Sequence, residues 1–165
     1  MKIETIVVGS LQENCYIVTI GDNSFIIDPG DEADRIIEAC KGKNIKEILI
    51  THHHFDHVGA LKDIEEHFGL KENNKTDFFD YEVINTPGHT LDSVTYYFPK
   101  EKVMFTGDFI FFHSIGRTDL PTGSDEDMAK SLDLISKYPG DCLLFPGHGP
   151  KTSLGIEKNN FKYYV

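Results

Sequence analysis

The chain has 165 residues, 16 of them basic and 27 acidic, for a formal charge of −11. That length suits one domain, and without a Pro/Gly/Ser-rich linker the sequence predicts a single domain over 1–165. The acidic balance repels phosphate backbones and anionic lipid, which excludes nucleic acid and membrane as general partners and leaves a small-molecule substrate. The opening MKIETIVVGSLQEN lacks a long apolar core, and no run of about 18 apolar residues occurs. Cys15, Cys40 and Cys142 are odd in number and form no C-x-x-C pair, which fits a reducing compartment, so the expected location is the cytoplasm.

Alternation and β-branched residues predict strands at 3–8, 15–20 and 24–27, a meander closed by the turn Asp28-Pro29-Gly30. From Asp31, a candidate N-cap, Ala33, Ile36, Ile37 and Ala39 follow helical spacing as far as Gly42. A buried-type strand, IKEILI, then runs directly into THHHFDHVGA, Thr51 to Ala60. One amphipathic helix is predicted over 58–68, with Leu61, Ile64 and Phe68 on one side and Gly69 ending it. Strands follow at 81–85, 94–98 and 103–106, then a long loop through Pro121. Ser124 with Asp127 starts a helix to about Lys137, and DCLLF, Asp141 to Phe145, is a further strand.

The histidine-rich decapeptide occupies a strand-to-helix loop, where α/β sheets present chemistry. Three further polar groups also follow strands: His89 in TPGHT, Asp108 in FTGD and His148 in FPGHG. With His52, His54, Asp56 and His57 they make five imidazoles and two carboxylates, an inventory for two metal ions. In an extended segment His52, His54 and Asp56 share one face, while His53 and Phe55 take the other, so His53 is not expected to ligate. His57, in the first turn of the next helix, returns toward Asp56.

THHHFDH resembles the T-H-x-H-x-D-H signature of the metallo-β-lactamase superfamily, and the later histidine, aspartate and histidine fall in that family's order. The strings ENCYIV, IIDPGD, TPGHT, FTGD, SIGRTDLP and PGHGP resemble most its small glyoxalase II-like (hydroxyacylglutathione hydrolase-like) members. The resemblance implies an α/β (α+β) fold, a four-layer αββα sandwich, here shortened between the first metal motif and the TPGHT strand. It implies one metal held by His52, His54 and His89, a second by Asp56, His57 and His148, and Asp108 bridging them. The implied ions are two divalent metals, zinc first, with iron or manganese as alternatives. A bridging hydroxide oriented by Asp56 would attack a small thioester or related ester bond.

Several residues keep two readings. Asp28 is either a support for a ligand or ordinary turn chemistry, and Arg117 either grips an anionic substrate or pairs with Asp119 to brace its loop. His113 either borders the pocket or packs at the surface; His67, at a helix C-terminus, reads as solvated. Phe161, Tyr163 and Tyr164 read as a packed tail or a contact to a second subunit, leaving the oligomeric state open with a homodimer included. The chain departs from the family where only LKENNKTDFFD separates Gly69 from Tyr81, where Leu91 and Asp92 follow TPGHT, and where it ends seventeen residues after His148. Two other functions compete: a mononuclear iron enzyme similar to the persulfide dioxygenases, using His52, His89 and Asp108, and a non-catalytic metal-binding protein with a truncated pocket.

Overall fold

A computed structural model describes all residues 1–165, which divide into two compact units, 1–80 and 81–165. No helix is long and apolar enough to cross a membrane.

In the first unit the alternating N-terminal segment forms β1 (Lys2–Val8), which pairs antiparallel with β2 (Glu13–Ile20), itself antiparallel to β3 (Asn23–Ile27). The expected meander is therefore present. After β3 the chain crosses through α1 (Ala33–Ala39) to β4 (Ile45–Leu49), which pairs parallel with β3 and completes the order β1-β2-β3-β4. A parallel partner needs a crossover, and α1 supplies it by burying Ile36 against Ile26, Ile48 and Ile64. The N-cap of α1 is Glu32 in a left-handed conformation (φ 51°), not Asp31 as predicted. Asp31 stands one residue outside and accepts from the Glu32 amide at 2.7 Å.

The single helix expected over 58–68 is instead two, α2 (Phe55–Val58) and α3 (Leu61–Phe68). The break has a tertiary cause: the Ala60 amide leaves the helical ladder and donates to the Pro29 carbonyl at 3.0 Å. Leu61, Ile64 and Phe68 do share the core-facing side of α3, and Gly69 (φ 65°) ends it as expected.

The second unit contains β5 (Glu82–Asn85), β6 (Val94–Phe98) and β7 (Val103–Gly107) in antiparallel succession. Its long connection holds a hairpin that the sequence did not reveal, β8 (Ile110–Phe111) with β9 (Ser114–Ile115), because two-residue strands carry no readable period. Helix α4 (Asp125–Ser136) begins at Ser124, whose Oγ accepts from the Asp127 amide at 3.1 Å. It buries Met128, Leu132 and Ile135 with Ile84, Met104 and Leu144. Strand β10 (Leu143–Pro146) then pairs parallel with β7, and β11 (Thr152–Ser153) closes the order β11-β10-β7-β6-β5. The chain ends through α5 (Leu154–Glu157) and a 3-10 turn, where Phe161 is buried and Tyr163 exposed.

Candidate metal centre

In the first unit the ligand-type residues lie where β4 ends. Asp28 takes a left-handed turn (φ 48°) after β3, and its amide donates to the Leu49 carbonyl, which carries its carboxylate to the start of the histidine loop. Its Oδ1 accepts from the Thr51 amide at 2.7 Å, and its Oδ2 from the Thr51 hydroxyl at 2.6 Å. Its Oδ2 also lies 2.9 Å from His57 Nδ1. All three residues are buried.

These contacts set imidazole orientation. A neutral His57 that donates from Nδ1 to Asp28 keeps its lone pair on Nε2, and His52 is treated likewise, its Nδ1 lying 3.1 Å from the Thr51 hydroxyl oxygen. The His52 ring centroid is 4.8 Å from that of His54 and 4.2 Å from that of His57. Asp56 Oδ2 is 3.7 Å from His57 Nε2. Extended alternation holds for His52 and His54 only; Asp56 and His57 reach their places from α2, a correction to the expectation of one extended face through Asp56. His53 faces elsewhere, half exposed, 2.8 Å from the Glu72 carboxylate.

Gly30 makes this arrangement possible, because a Cβ there would overlap the Asp56 carbonyl oxygen and lie 2.6 Å from Glu13 Oε2. Glu13, buried at the start of β2, is 3.8 Å from His57 Nδ1. Glu13, Asp28 and His57 thus form a buried group of metal-ligand types, but the 2.9 Å contact within it is a hydrogen-bond length, which makes it a support for His57.

The second unit builds its share from parallel strand ends. Phe105 of β7 pairs with Phe145 of β10, and Gly147 donates to the Gly107 carbonyl at 2.9 Å, so Asp108 and His148 emerge side by side. Asp108 Oδ2 lies 3.5 Å from His89 Nε2 and 3.6 Å from His148 Nε2. His89 is buried, and its Nδ1 donates to the Arg117 carbonyl at 2.7 Å, which again leaves Nε2 to ligate. Gly116 permits that approach, since a Cβ there would overlap the Asp108 carbonyl oxygen.

Spacing tests whether a metal fits. Two donors each about 2.1 Å from one ion at a tetrahedral angle lie about 3.4 Å apart, whereas a direct N–H···O bond is about 2.7–3.2 Å. The pairs Asp56–His57, Asp108–His89 and Asp108–His148, at 3.7, 3.5 and 3.6 Å, have the first spacing. Imidazole nitrogens with carboxylate oxygens and no thiolate suit a divalent ion, so these side chains are of the kind that could take part in holding one.

The remaining candidates fall outside these clusters. Arg117 is exposed and forks onto Asp119 at 2.6 and 2.8 Å, the bracing alternative; only its backbone carbonyl meets a candidate ligand, His89. His113 sits at the β8–β9 turn (φ 57°), its amide donating to Glu157 at 3.0 Å. His67 is exposed, as expected. Glu13, the Thr51 hydroxyl and the Arg117 carbonyl had not been singled out from sequence. The signal for Thr51 was its place one residue before His52 and opposite the Asp28 turn.

The family model for the metallo-beta-lactamase superfamily matches residues 8–72 and 74–148. The chain belongs to that superfamily. A hydroxyacylglutathione hydrolase of Haemophilus influenzae, GloC, is 32% identical over 97% of this chain and 96% of the relative. That alignment spans 204 positions against 165 residues, so the relative carries residues this chain lacks. Among solved structures, the B3 metallo-beta-lactamase BLEG-1 superposes with a TM-score of 0.91 at 29% identity, covering 99% of this chain and 100% of that one. TTHA1623, solved in a di-iron-bound form, gives 0.86 at 30% identity over 93% and 96%. The expected fold is thereby established, and membership with hydrolase relatives makes this metallo-β-lactamase-fold chain a hydrolase with His/Asp clusters suited to divalent metal.

Proposed function

We propose that the protein is a dinuclear metal hydrolase of a small thioester of the hydroxyacyl-thiol kind, with His52, His54, Asp56, His57, His89, Asp108 and His148 as its metal ligands and the chain acting as a single functional domain. Bound divalent ions, zinc first among them, supply Lewis acidity and lower the pKa of water toward about 7. The chain's own residues do the rest. Asp28 and Thr51 aim His57 and His52, and the Arg117 carbonyl aims His89. Asp56 orients the attacking water, so no serine or cysteine nucleophile is required.

The observation that carries this reading is the shared design of three ligand-type imidazoles, each with Nδ1 turned to a protein oxygen. A cleft of about 150 Å³ borders Asp56, with Val8, Ser10, Leu11, Asp31 and Phe55 in its lining, and offers room for part of a small substrate. The relative named for hydroxyacylglutathione hydrolysis favours thioesters over other esters.

The test is metal analysis of purified protein, then turnover on thioester, lactone, phosphodiester and persulfide substrates, with His52→Ala as the control. Two ions per chain and thioester hydrolysis lost in the variant are expected. Iron with oxygen consumption on a persulfide would replace the reading by a dioxygenase, and full metal loading without turnover by a metal-binding protein.

A further inference from the structure

The family match breaks at a single residue, Asn73, within the segment that is abbreviated in this chain. That residue lies against β4. Its amide donates to the Ile48 carbonyl at 2.7 Å, and its side-chain Oδ1 accepts from the Ile50 amide at 2.9 Å. A neighbouring strand would provide this pair of bonds, one accepted and one donated two residues apart on the same edge. Asn73 provides both from one residue, in a left-handed conformation (φ 54°) that asparagine tolerates well.

The position is what matters. Ile50 precedes Thr51 and His52, and successive amides of an extended chain point to opposite sides. On the β3 side the Thr51 amide donates to Asp28, while on the open side the Ile50 amide donates to Asn73. Two side-chain oxygens thus pin consecutive amides immediately before the first ligand. The same short segment reaches His53 through Glu72 at 2.8 Å, and Glu47 through the Thr76 amide at 2.6 Å.

We infer that Asn73 is a positioning residue for the His52–His57 loop, its side chain standing in for an absent strand and so setting metal affinity without touching the metal. The inference rests on the metal-hydrolase reading, since it requires that loop to ligate.

The test uses the full chain, stripped with chelator and titrated with Zn²⁺ against a chromophoric competitor, alongside amide hydrogen exchange at Ile50. Asn73→Gly keeps the left-handed backbone and deletes the acceptor; it should weaken Zn²⁺ binding roughly 10–100-fold, the effect common to residues that orient ligands, and deprotect Ile50. Asn73→Asp keeps acceptor and conformation and should restore affinity to within about threefold of wild type. Asn73→Ser, a milder change should glycine unfold the segment, should lie between them. Thr76→Val loosens the same segment away from the loop and should leave Zn²⁺ affinity unchanged. Wild-type affinity in Asn73→Gly, or an equal loss in Thr76→Val, overturns the inference while leaving the hydrolase reading intact. Failure of the wild-type chain itself to bind Zn²⁺ overturns both.

Discussion

The Asp28 carboxylate lies 2.9 Å from His57 Nδ1 while its two oxygens also accept the amide and hydroxyl of Thr51. One buried group therefore fixes both the loop backbone and the ring of a candidate ligand. Asp28→Asn keeps the volume but can present an amide N–H to His57 Nδ1, turning the lone pair away from Nε2. Zn²⁺ affinity should fall roughly 10–100-fold by competition titration, and stability by about 1.5–3 kcal/mol for the lost charge-assisted bonds. Wild-type affinity in this variant would show that His57 is oriented by something other than Asp28.

Gly116 and Arg117 should behave in opposite ways despite being adjacent. Gly116→Ala forces a Cβ into the Asp108 carbonyl, which should cost about 1–3 kcal/mol and lower metal content. Arg117→Ala removes an exposed pair with Asp119 yet keeps the carbonyl that holds His89, so its melting temperature and metal content should match wild type. Calorimetry and metal analysis distinguish this from a reversed order, which would place the support in the guanidinium.

Glu157 is fully buried and accepts from the His113 amide and the Thr152 hydroxyl, tying the tip of the β8–β9 hairpin to α5. Glu157→Ala leaves those donors without their carboxylate. A loss of about 1–3 kcal/mol is expected for the stranded Thr152 hydroxyl, with faster amide exchange at His113. Unchanged exchange there would mean that the hairpin is held by other contacts.

The thiols should be unreactive in the native state. Burial pushes the Cys40 thiol from 9.0 up to about 11 and Cys15 well above 9.0. The folded chain thus holds these protons more tightly than the unfolded chain, so their contribution to stability is complete below about 9 and is lost as pH rises through the folded values. Native protein should resist a thiol-disulfide reagent at pH 8 and react at three cysteines once denatured. The denaturation midpoint should fall between about pH 8 and pH 10.5; a flat profile would contradict the assignment.

The candidate ligands could be picked out in the sequence because each group follows a strand, with a Pro or Gly turn before His89, Asp108 and His148, a local pattern that survives without coordinates. The same locality explains what was not legible. The split of the 58–68 helix depends on Ala60 finding Pro29, a contact across thirty residues, and no helical period records it. Asp28 remained ambiguous because Asp-Pro-Gly suits any turn, and its meeting with Thr51 and His57 follows from the parallel register of β3 and β4. Asn73 lay in a stretch with no period at all, and its role comes from two bonds to a strand edge.

The pairing of β7 with β10 also bears on the expected order of folding. His52, His54, Asp56 and His57 share six consecutive positions and become neighbours as soon as their own segment takes shape. Asp108 and His148 stand forty residues apart in sequence and meet only when two parallel strands close over an intervening helix, and closing so large a loop is slow. The second cluster should therefore form after the first, and a nascent chain exposes four of its seven candidate donors before the other three.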